Sequence, residues 1–512
     1  MMSHVFSAAN HGVDAYLVDV ETHLDTQVPA IAVVGLPDAA VKEARDRVVA
    51  AIKNSGYYLP LKRITINLAP ADMRKEGSSF DLPMAVGILS SSDQTNGAHL
   101  GETVMVGELS LDGSLRPVNG VLSIAINVLK EGRTRLIVPE ANAKEAALVD
   151  GLNVYPARSL RDAIEILESP ESREPYTLDL SKVFSHEVDT ALDMVDVKGQ
   201  QHVKRALEIS AAGGHNVIMI GPPGSGKTML ARRLPSILPD MALDEALEVT
   251  KIHSVAGVLS HGNSLVVARP FRAPHHTISD AGLIGGGTYP KPGEVSLSHH
   301  GVLFLDELPE FKRSVLEVLR QPLEDGHVTI SRAAISLDYP AQFLMVASSN
   351  PCPCGYYGDG SDRCRCNPTM IQRYMSRLSG PLLDRIDLHI NVPSVPYKEL
   401  ASDPTGEPSK LIRDRVNHAR GVQASRFADS KGIFCNARMS SRDLRTFCRV
   451  DQKGHDLLQS AIQRMGLSAR AYDRILKVSR TIADLENNAD VTARHVAEAV
   501  QYRSLDRQLW LR

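Results

Sequence analysis

The sequence predicts an α/β protein: an αβα core, preceded by a second α/β domain and followed by an all-helical one. Three observations predict it. The octapeptide Gly221-Pro222-Pro223-Gly224-Ser225-Gly226-Lys227-Thr228 lies between an apolar run that reads as a short buried strand and the start of a helix. Residues 1 to about 165 alternate strand-like and helix-like runs, the pattern of a layered α/β unit with its own core. From about Ser409 onward, apolar residues recur at helical spacing.

A chain of 512 residues exceeds what one hydrophobic core normally organises, so two or three domains are expected. A formal charge of −3 over that length excludes a uniformly basic nucleic-acid binder; contact with polyanions must be local or created by assembly. There is no apolar run of about 18 residues to span a membrane, and the N-terminus lacks a basic-then-apolar signal, so a cytoplasmic protein is expected.

In the first domain, 1–167, residues 30–34 and 64–68 read as strands, and 39–55, 82–89 and 121–129 as helices. A polar stretch over 168–190, with Pro170 and Pro175, reads as a linker. The core, 191–400, opens at about Asp196-Val197-Lys198-Gly199-Gln200. In the last domain, 401–512, helices are expected over 411–427, 440–450, 453–465, 469–485 and 492–502. Its first part, 410–449, holds ten Lys or Arg against three Asp or Glu, an excess that suits DNA or a neighbour's acidic face.

The chemistry starts at the octapeptide. Polyphosphate carries several negative charges, and a cradle for it needs backbone N–H groups turned inward, which the glycines permit. Lys227 then reaches the β- and γ-phosphates, and the Thr228 hydroxyl ligates Mg²⁺. About 80 residues on, Gly301-Val302-Leu303-Phe304-Leu305-Asp306-Glu307 is an apolar strand ending in two acids. Asp306 suits the Mg²⁺ hydration shell, and Glu307 suits polarising the attacking water. A further apolar strand ends at Ser348-Ser349-Asn350, where Asn350 fits a residue that orients that water. Between the P-loop helix and the strand that ends at Asp306, the histidine pairs 275–276 and 299–300 read as metal ligands, or as capping or phosphate-facing groups because adjacent side chains point apart.

Cys352, Cys354, Cys364 and Cys366 form C-x-C, nine residues, C-x-C, inside a loop at 351–367. In a reducing compartment four such thiolates suit a tetrahedral Zn²⁺ site, with reduced thiols or an Fe–S cluster as alternatives. The intervening Tyr356, Tyr357, Arg363 and Arg365 either contact nucleic acid or belong to a solvated loop.

Two resemblances follow from these residues. Arg74-Lys75-Glu76-Gly77-Ser78-Ser79-Phe80-Asp81-Leu82-Pro83, with Gly107-Glu108-Leu109-Ser110-Leu111-Asp112-Gly113, is similar to the peptidase domain of Lon proteases, a ribosomal S5 domain 2-like fold. Ser79 matches that family's nucleophile, but Leu122 stands where the family places its lysine, and a leucine cannot take a proton. Peptidase activity is therefore not expected, and the domain reads as one kept for binding or assembly.

The order of GPPGSGKT, VLFLDE, SSN, LLDRID and Ser468-Ala469-Arg470-Ala471-Tyr472 resembles an AAA+ ATPase. More closely, with Asn350-Pro351-Cys352-Pro353-Cys354-Gly355, it resembles the magnesium-chelatase-like ComM/YifB family. That resemblance implies a Lon-like N-terminal domain, an AAA+ core and a helical lid. It makes Lys227 and Thr228 the Walker A site, Asp306 and Glu307 the Walker B site, and Asn350 sensor 1. It also makes Arg385 an arginine finger lent to a neighbouring subunit and Arg470 the sensor 2 arginine. Residues 326–335 look like the pre-sensor-1 hairpin of related helicases, with Arg332 at the tip facing either DNA in a ring channel or solvent. The implied function is a Mg-ATP-driven, hexameric motor that branch-migrates DNA during natural transformation. The alternative is a chelatase-like ATPase subunit that remodels a protein partner.

Overall fold

A computed structural model describes all residues except 1, 76, 180–182, 184–191, 260–263, 288, 333–334, 397–398, 400–405, 431 and 506–512. Much of the expected linker at 168–190, the start of the segment 401–512 and the two residues after Arg332 therefore lie outside the described residues. The chain divides into two compact units. One comprises Met1–Glu187, Leu243–Val267 and Ala333–Tyr339; the other comprises Val188–Ala242, Ala268–Arg332 and Pro340–Arg512.

The first unit is built on a seven-stranded mixed sheet. Its strand order is Ala30–Val34, Arg63–Ala69, Asp14–Asp25, Met2–His11, Thr103–Met105, Arg135–Pro139 and Asn153–Ala157. Met2–His11 and Asp14–Asp25 form a long antiparallel hairpin, with Met2 opposite His23 and His11 opposite Asp14. Helix Asp81–Ser91 is buried on almost every side, which accounts for its apolar run without a polar face. Its first residue, Asp81, is fully buried and receives two bonds from Arg47, at 2.8 and 3.0 Å, and one from the Leu109 N–H at 3.2 Å.

Helix Leu243–Ala256 follows the P-loop helix in sequence but packs in this first unit, against Val121–Lys130. Ser254 accepts the Gly120 N–H at 2.8 Å and donates to the buried Glu145 carboxylate, which also takes the Leu122 N–H at 2.9 Å. Burial pushes the Glu145 carboxyl above its ordinary range.

The second unit holds a five-stranded, wholly parallel sheet in the order Phe271–Arg272, Val302–Leu305, Leu344–Ser349, Val217–Ile220 and Leu388–Asn391. Numbered along the chain this is 2-3-4-1-5, so Val217–Ile220 lies inside the sheet although it comes first. Its residues, like those of Val302–Leu305 and Leu344–Ser349, are buried throughout, as a parallel sheet covered on both faces requires. The carboxyl ends of these three strands meet where the strand order reverses, the place where such sheets bind ligands.

Helices Ser409–Arg426, Ser441–Phe447, Gln452–Met465, Ala469–Leu485 and Ala493–Gln501 complete this unit, each within a few residues of its expected place. Ser440, Asp451 and Ser468 cap three of them with side-chain oxygens. Their apolar faces share one core with the sheet: Ile412, Val416, Ile475, Ile482 and Val496 cluster with Val217, Val346 and Leu388.

A buried polar chain crosses that core. His215, two residues before strand Val217–Ile220, reaches Asp387 at 3.0 Å and Thr481 at 2.8 Å. Asn436 links Thr481 to Asp484, which also holds Arg426 and Arg480; Arg474 pairs with Asp387. No helix among the described residues is long and apolar enough to cross a membrane.

Candidate functional site

The P-loop leaves strand Val217–Ile220 and enters helix Lys227–Arg233, the context that the sequence predicts. Gly221 is held close to the residue following the edge strand: a Cβ there would lie 2.1 Å from the Val392 carbonyl oxygen, so no larger residue fits. Lys227 is buried, and its ammonium donates to the Gly221 carbonyl at 2.7 Å, the Pro222 carbonyl at 2.9 Å and Asn350 Oδ1 at 3.3 Å. Burial pulls its pKa below the ordinary lysine range, while Asp306 and Glu307 pull the other way. All three acceptors are neutral, so this buried cation is suited to polyphosphate.

Thr228 Oγ1 donates to Asp306 Oδ2 at 2.8 Å. The other Asp306 oxygen takes the Ser348 hydroxyl and, at 3.2 Å, the Glu307 N–H. Glu307 is exposed and sits in the left-handed region at φ 54°, with its N–H also 3.1 Å from Ser348 Oγ. Such a conformation at a non-glycine residue is held in place by its surroundings and turns the side chain sharply off the strand axis. The structure thus brings Lys227, Thr228, Asp306, Glu307 and Asn350 to the ends of three adjacent strands. Ser348, between Asp306 and Glu307, is a member that the sequence reading missed. A hydroxyl one strand away has no spacing signal.

A second missed feature adjoins the P-loop. Gln200 donates to the Ser225 carbonyl at 2.8 Å and the Pro393 carbonyl at 3.1 Å. Beside it lies a cleft of about 560 Å³ lined by Lys198, Gly199, Gln200, His202, Pro393 and Pro396. Its size and mixed polar and apolar walls suit a purine base.

Arg385 and Arg470 lie elsewhere. The Arg385 guanidinium is buried; it pairs with Glu324 and donates to the Pro381 carbonyl at 2.5 Å. Its hydrogen bond to Glu324 holds that carboxyl below the usual range, with Arg470 and Arg320 adding to the effect. Arg470 is exposed, in the first turn of helix Ala469–Leu485. Arg332 is exposed at the end of strand His327–Arg332.

One member of each histidine pair is hydrogen-bonded close by. His275 Nδ1 meets the Thr277 hydroxyl at 2.9 Å, and His299 Nδ1 takes the Gln342 N–H at 3.0 Å. In the other unit, Ser78 donates to Glu108, and Lys75 is fully buried with its ammonium on the Pro70 and Met73 carbonyls. Leu122 is fully buried in helix Val121–Lys130.

The four clustered cysteines do converge. Cys352 Sγ lies 3.3 Å from Cys354 Sγ and 3.9 Å from Cys364 Sγ, and Cys354 and Cys364 are 3.7 Å apart. All four sulfurs, Cys366 included, lie within 4.8 Å of one another. Cys435 and Cys448 are buried and free.

Three family descriptions match successive parts of the chain: "Subunit ChlI of Mg-chelatase" over 20–142, "Magnesium chelatase, subunit ChlI" over 193–400, and its C-terminal part over 406–503. The competence protein ComM of Haemophilus influenzae is 47% identical over 509 residues, covering 99% of this chain and 98% of its own. The chain belongs to the ComM/YifB family.

YifB of Escherichia coli is 44% identical over 511 residues, again with 99% of this chain and 98% of its own covered. The magnesium-chelatase subunit ChlI of rice chloroplasts is 21% identical over 332 residues, 59% of this chain and 68% of its own. This ComM/YifB chain is a magnesium-chelatase-like AAA+ ATPase and uses ATP with Mg²⁺. The residues present fit both. Thr228 and Asp306 offer paired oxygens for the cation, and Lys227 with the loop N–H groups offers positive potential for the phosphates.

Proposed function

We propose that this protein is a ring-forming AAA+ motor, hexameric by preference, that moves branched DNA during recombination of incoming DNA. The observation that carries the reading is the junction of Lys227, Thr228, Asp306 and Asn350 at the strand ends, which joins the phosphate cradle to the strand leading into the cysteine loop. Bound Mg-ATP supplies a phosphoanhydride whose cleavage releases the energy. Lys227 and Thr228 bind and orient, Glu307 takes the proton of the lytic water, and Asn350 positions that water. Arg385 serves a neighbour's site, and Arg470 reports on the nucleotide from the C-terminal helices, which act as the lid.

The DNA side is supported by the exposed Arg332 on its hairpin and by the name of the Haemophilus relative, a competence protein. Six copies of Arg332 around a channel would make a basic collar on a chain whose net charge is −3. The first unit is read as a Lon-like assembly domain without peptidase chemistry. Zn²⁺ is proposed at Cys352, Cys354, Cys364 and Cys366. The second reading, a chelatase-type subunit that remodels a protein partner, draws on the family matches along the chain.

The test is Arg332→Ala. DNA affinity is expected to fall, and its dependence on salt to flatten by about one in slope for each phosphate that the side chain neutralises. Unchanged affinity and slope would remove the collar.

A further inference from the structure

The cysteine loop is packed onto the nucleotide site. It begins one residue after Asn350, and its buried ligand Cys352 is two residues from it. Gly355, at φ 87°, lies flat against the P-loop: a Cβ there would come within 2.5 Å of Pro223 Cδ. Beyond the loop, Asn367 caps helix Pro368–Met375, whose buried Tyr374 bonds to Ser349 beside Asn350. Entrance, middle and exit of the loop thus touch the strand end and the phosphate cradle.

The loop interior is arranged for a cation. Tetrahedral zinc with four thiolates at about 2.3 Å places sulfurs roughly 3.8 Å apart. The sulfur separations of 3.3, 3.7 and 3.9 Å bracket that value and are far from disulfide length. Backbone N–H groups point at the sulfurs as well: Tyr356 and Arg365 at Cys354, Cys366 at Cys364, and Cys354 at Cys366. Donors of this kind stabilise thiolate charge around a metal. On the outside, Gly355 N–H closes a turn on the Cys352 carbonyl at 2.9 Å, and Arg363 pairs with Asp359 at 2.8 Å while covering the Tyr356 ring. The loop has no hydrophobic core of its own, so the sulfur cluster is what can hold it closed.

Resting on the zinc reading above, we infer that one zinc ion closes this loop and that the closed loop braces Pro223 and Asn350 in the geometry that ATP turnover needs. Zinc loss, by chelation or thiol oxidation, would then uncouple nucleotide binding from hydrolysis.

The test uses the full-length protein without DNA, so that failure of the DNA reading leaves it intact. Elemental analysis is expected to give one zinc per chain in the wild type and none in Cys364→Ser, with Cys448→Ala keeping its zinc. Cobalt in place of zinc is expected to give the sulfur-to-metal charge-transfer and visible bands of a tetrahedral tetrathiolate, and Cys364→Ser to lose them. In the metal-free protein, turnover is expected to fall by about tenfold or more while a fluorescent ATP analogue still binds, and zinc addition to restore it. Gly355→Ala, which keeps all four thiols but sets a Cβ against Pro223, is expected to retain zinc and analogue binding while lowering turnover. Absence of metal, or iron in its place, overturns the zinc centre. Zinc whose removal leaves turnover unchanged overturns the brace, whatever Gly355→Ala does.

Discussion

Thr228 Oγ1 donates to Asp306 Oδ2 across 2.8 Å, although 78 positions separate the two residues. The bond exists because strands Val217–Ile220 and Val302–Leu305 both pair in parallel with the strand between them, Leu305 opposite Ala347 and Ile220 opposite Ser349, and Ser348 on that middle strand fixes the other carboxylate oxygen. Asp306→Asn keeps the shape but removes the charge that a divalent cation needs. Half-saturating Mg²⁺ for ATP turnover is expected to rise and maximal turnover to fall by about a hundredfold. A Mg²⁺ titration of ATPase rate decides it; an unchanged curve would place the cation elsewhere.

Glu307 stands one residue further on, turned off the strand by its left-handed backbone. Glu307→Gln preserves hydrogen bonding but cannot accept a proton. It is expected to bind ATP as the wild type does and to lose about 10²–10⁴ in turnover. Equilibrium binding and single-turnover hydrolysis separate the two effects, and near-normal hydrolysis would remove Glu307 from the role of base.

Arg385 is buried against Glu324 in its own chain. If it is lent to a neighbour, that pairing must break on assembly. Arg385→Ala is expected to bind ATP and to lose about 10³ in turnover. Mixing Arg385→Ala with Glu307→Gln, each inactive alone, is expected to restore activity, because the second supplies the arginine and the first the base. No rescue in mixed assemblies would make Arg385 a structural residue of its own subunit.

Asp387 gives a pH signature. Burial would raise its pKa, but Arg474 and His215 outweigh burial and hold it well below the usual carboxylate range. A depressed native pKa contributes stability that is present above the unfolded value of about 3.9 and is lost as pH falls below it. Asp387→Asn is expected to cost about 3–5 kcal/mol at neutral pH and to flatten the acid limb of the stability curve. In the other unit Asp81 has the opposite sign. Burial outweighs Arg47 and pushes its carboxyl up to about 6, so its contribution is lost as pH rises from about 3.8 through 6. Denaturant unfolding between about pH 3 and 8 checks both.

Much of this was legible in the sequence because the chemistry is local. The P-loop, the acids after Leu305 and Asn350 after its strand are each recognised within a few residues, and a parallel sheet must bring their ends together. Helices 411–485 were legible for a similar reason: caps such as Ser440, Asp451 and Ser468 mark their starts. What was not legible depends on partners distant in sequence. Helix Leu243–Ala256 follows the P-loop helix in the chain, yet its Ser254 bonds to Gly120 and Glu145, and periodicity does not name a partner. Ser348, Glu324 and the chain from His215 to Asp484 were invisible likewise, since each is an ordinary residue until the fold supplies its neighbour. The long hairpin Met2–Asp25 is only half legible: Val18, Val20, Thr22 and Leu24 alternate with less buried residues, but in its first strand Ser7, Ala8 and Ala9 are buried in succession and break the period of two.

The measurement that bears most directly on the motor is the steady-state ATPase rate of the wild-type protein against added four-way or forked DNA, with a duplex of equal length as reference. A rise of several-fold with branched DNA, absent in Glu307→Gln and diminished in Arg332→Ala, is the expected result. A rate indifferent to every DNA, but raised by a protein partner, would contradict the DNA motor and favour the chelatase-type remodeller.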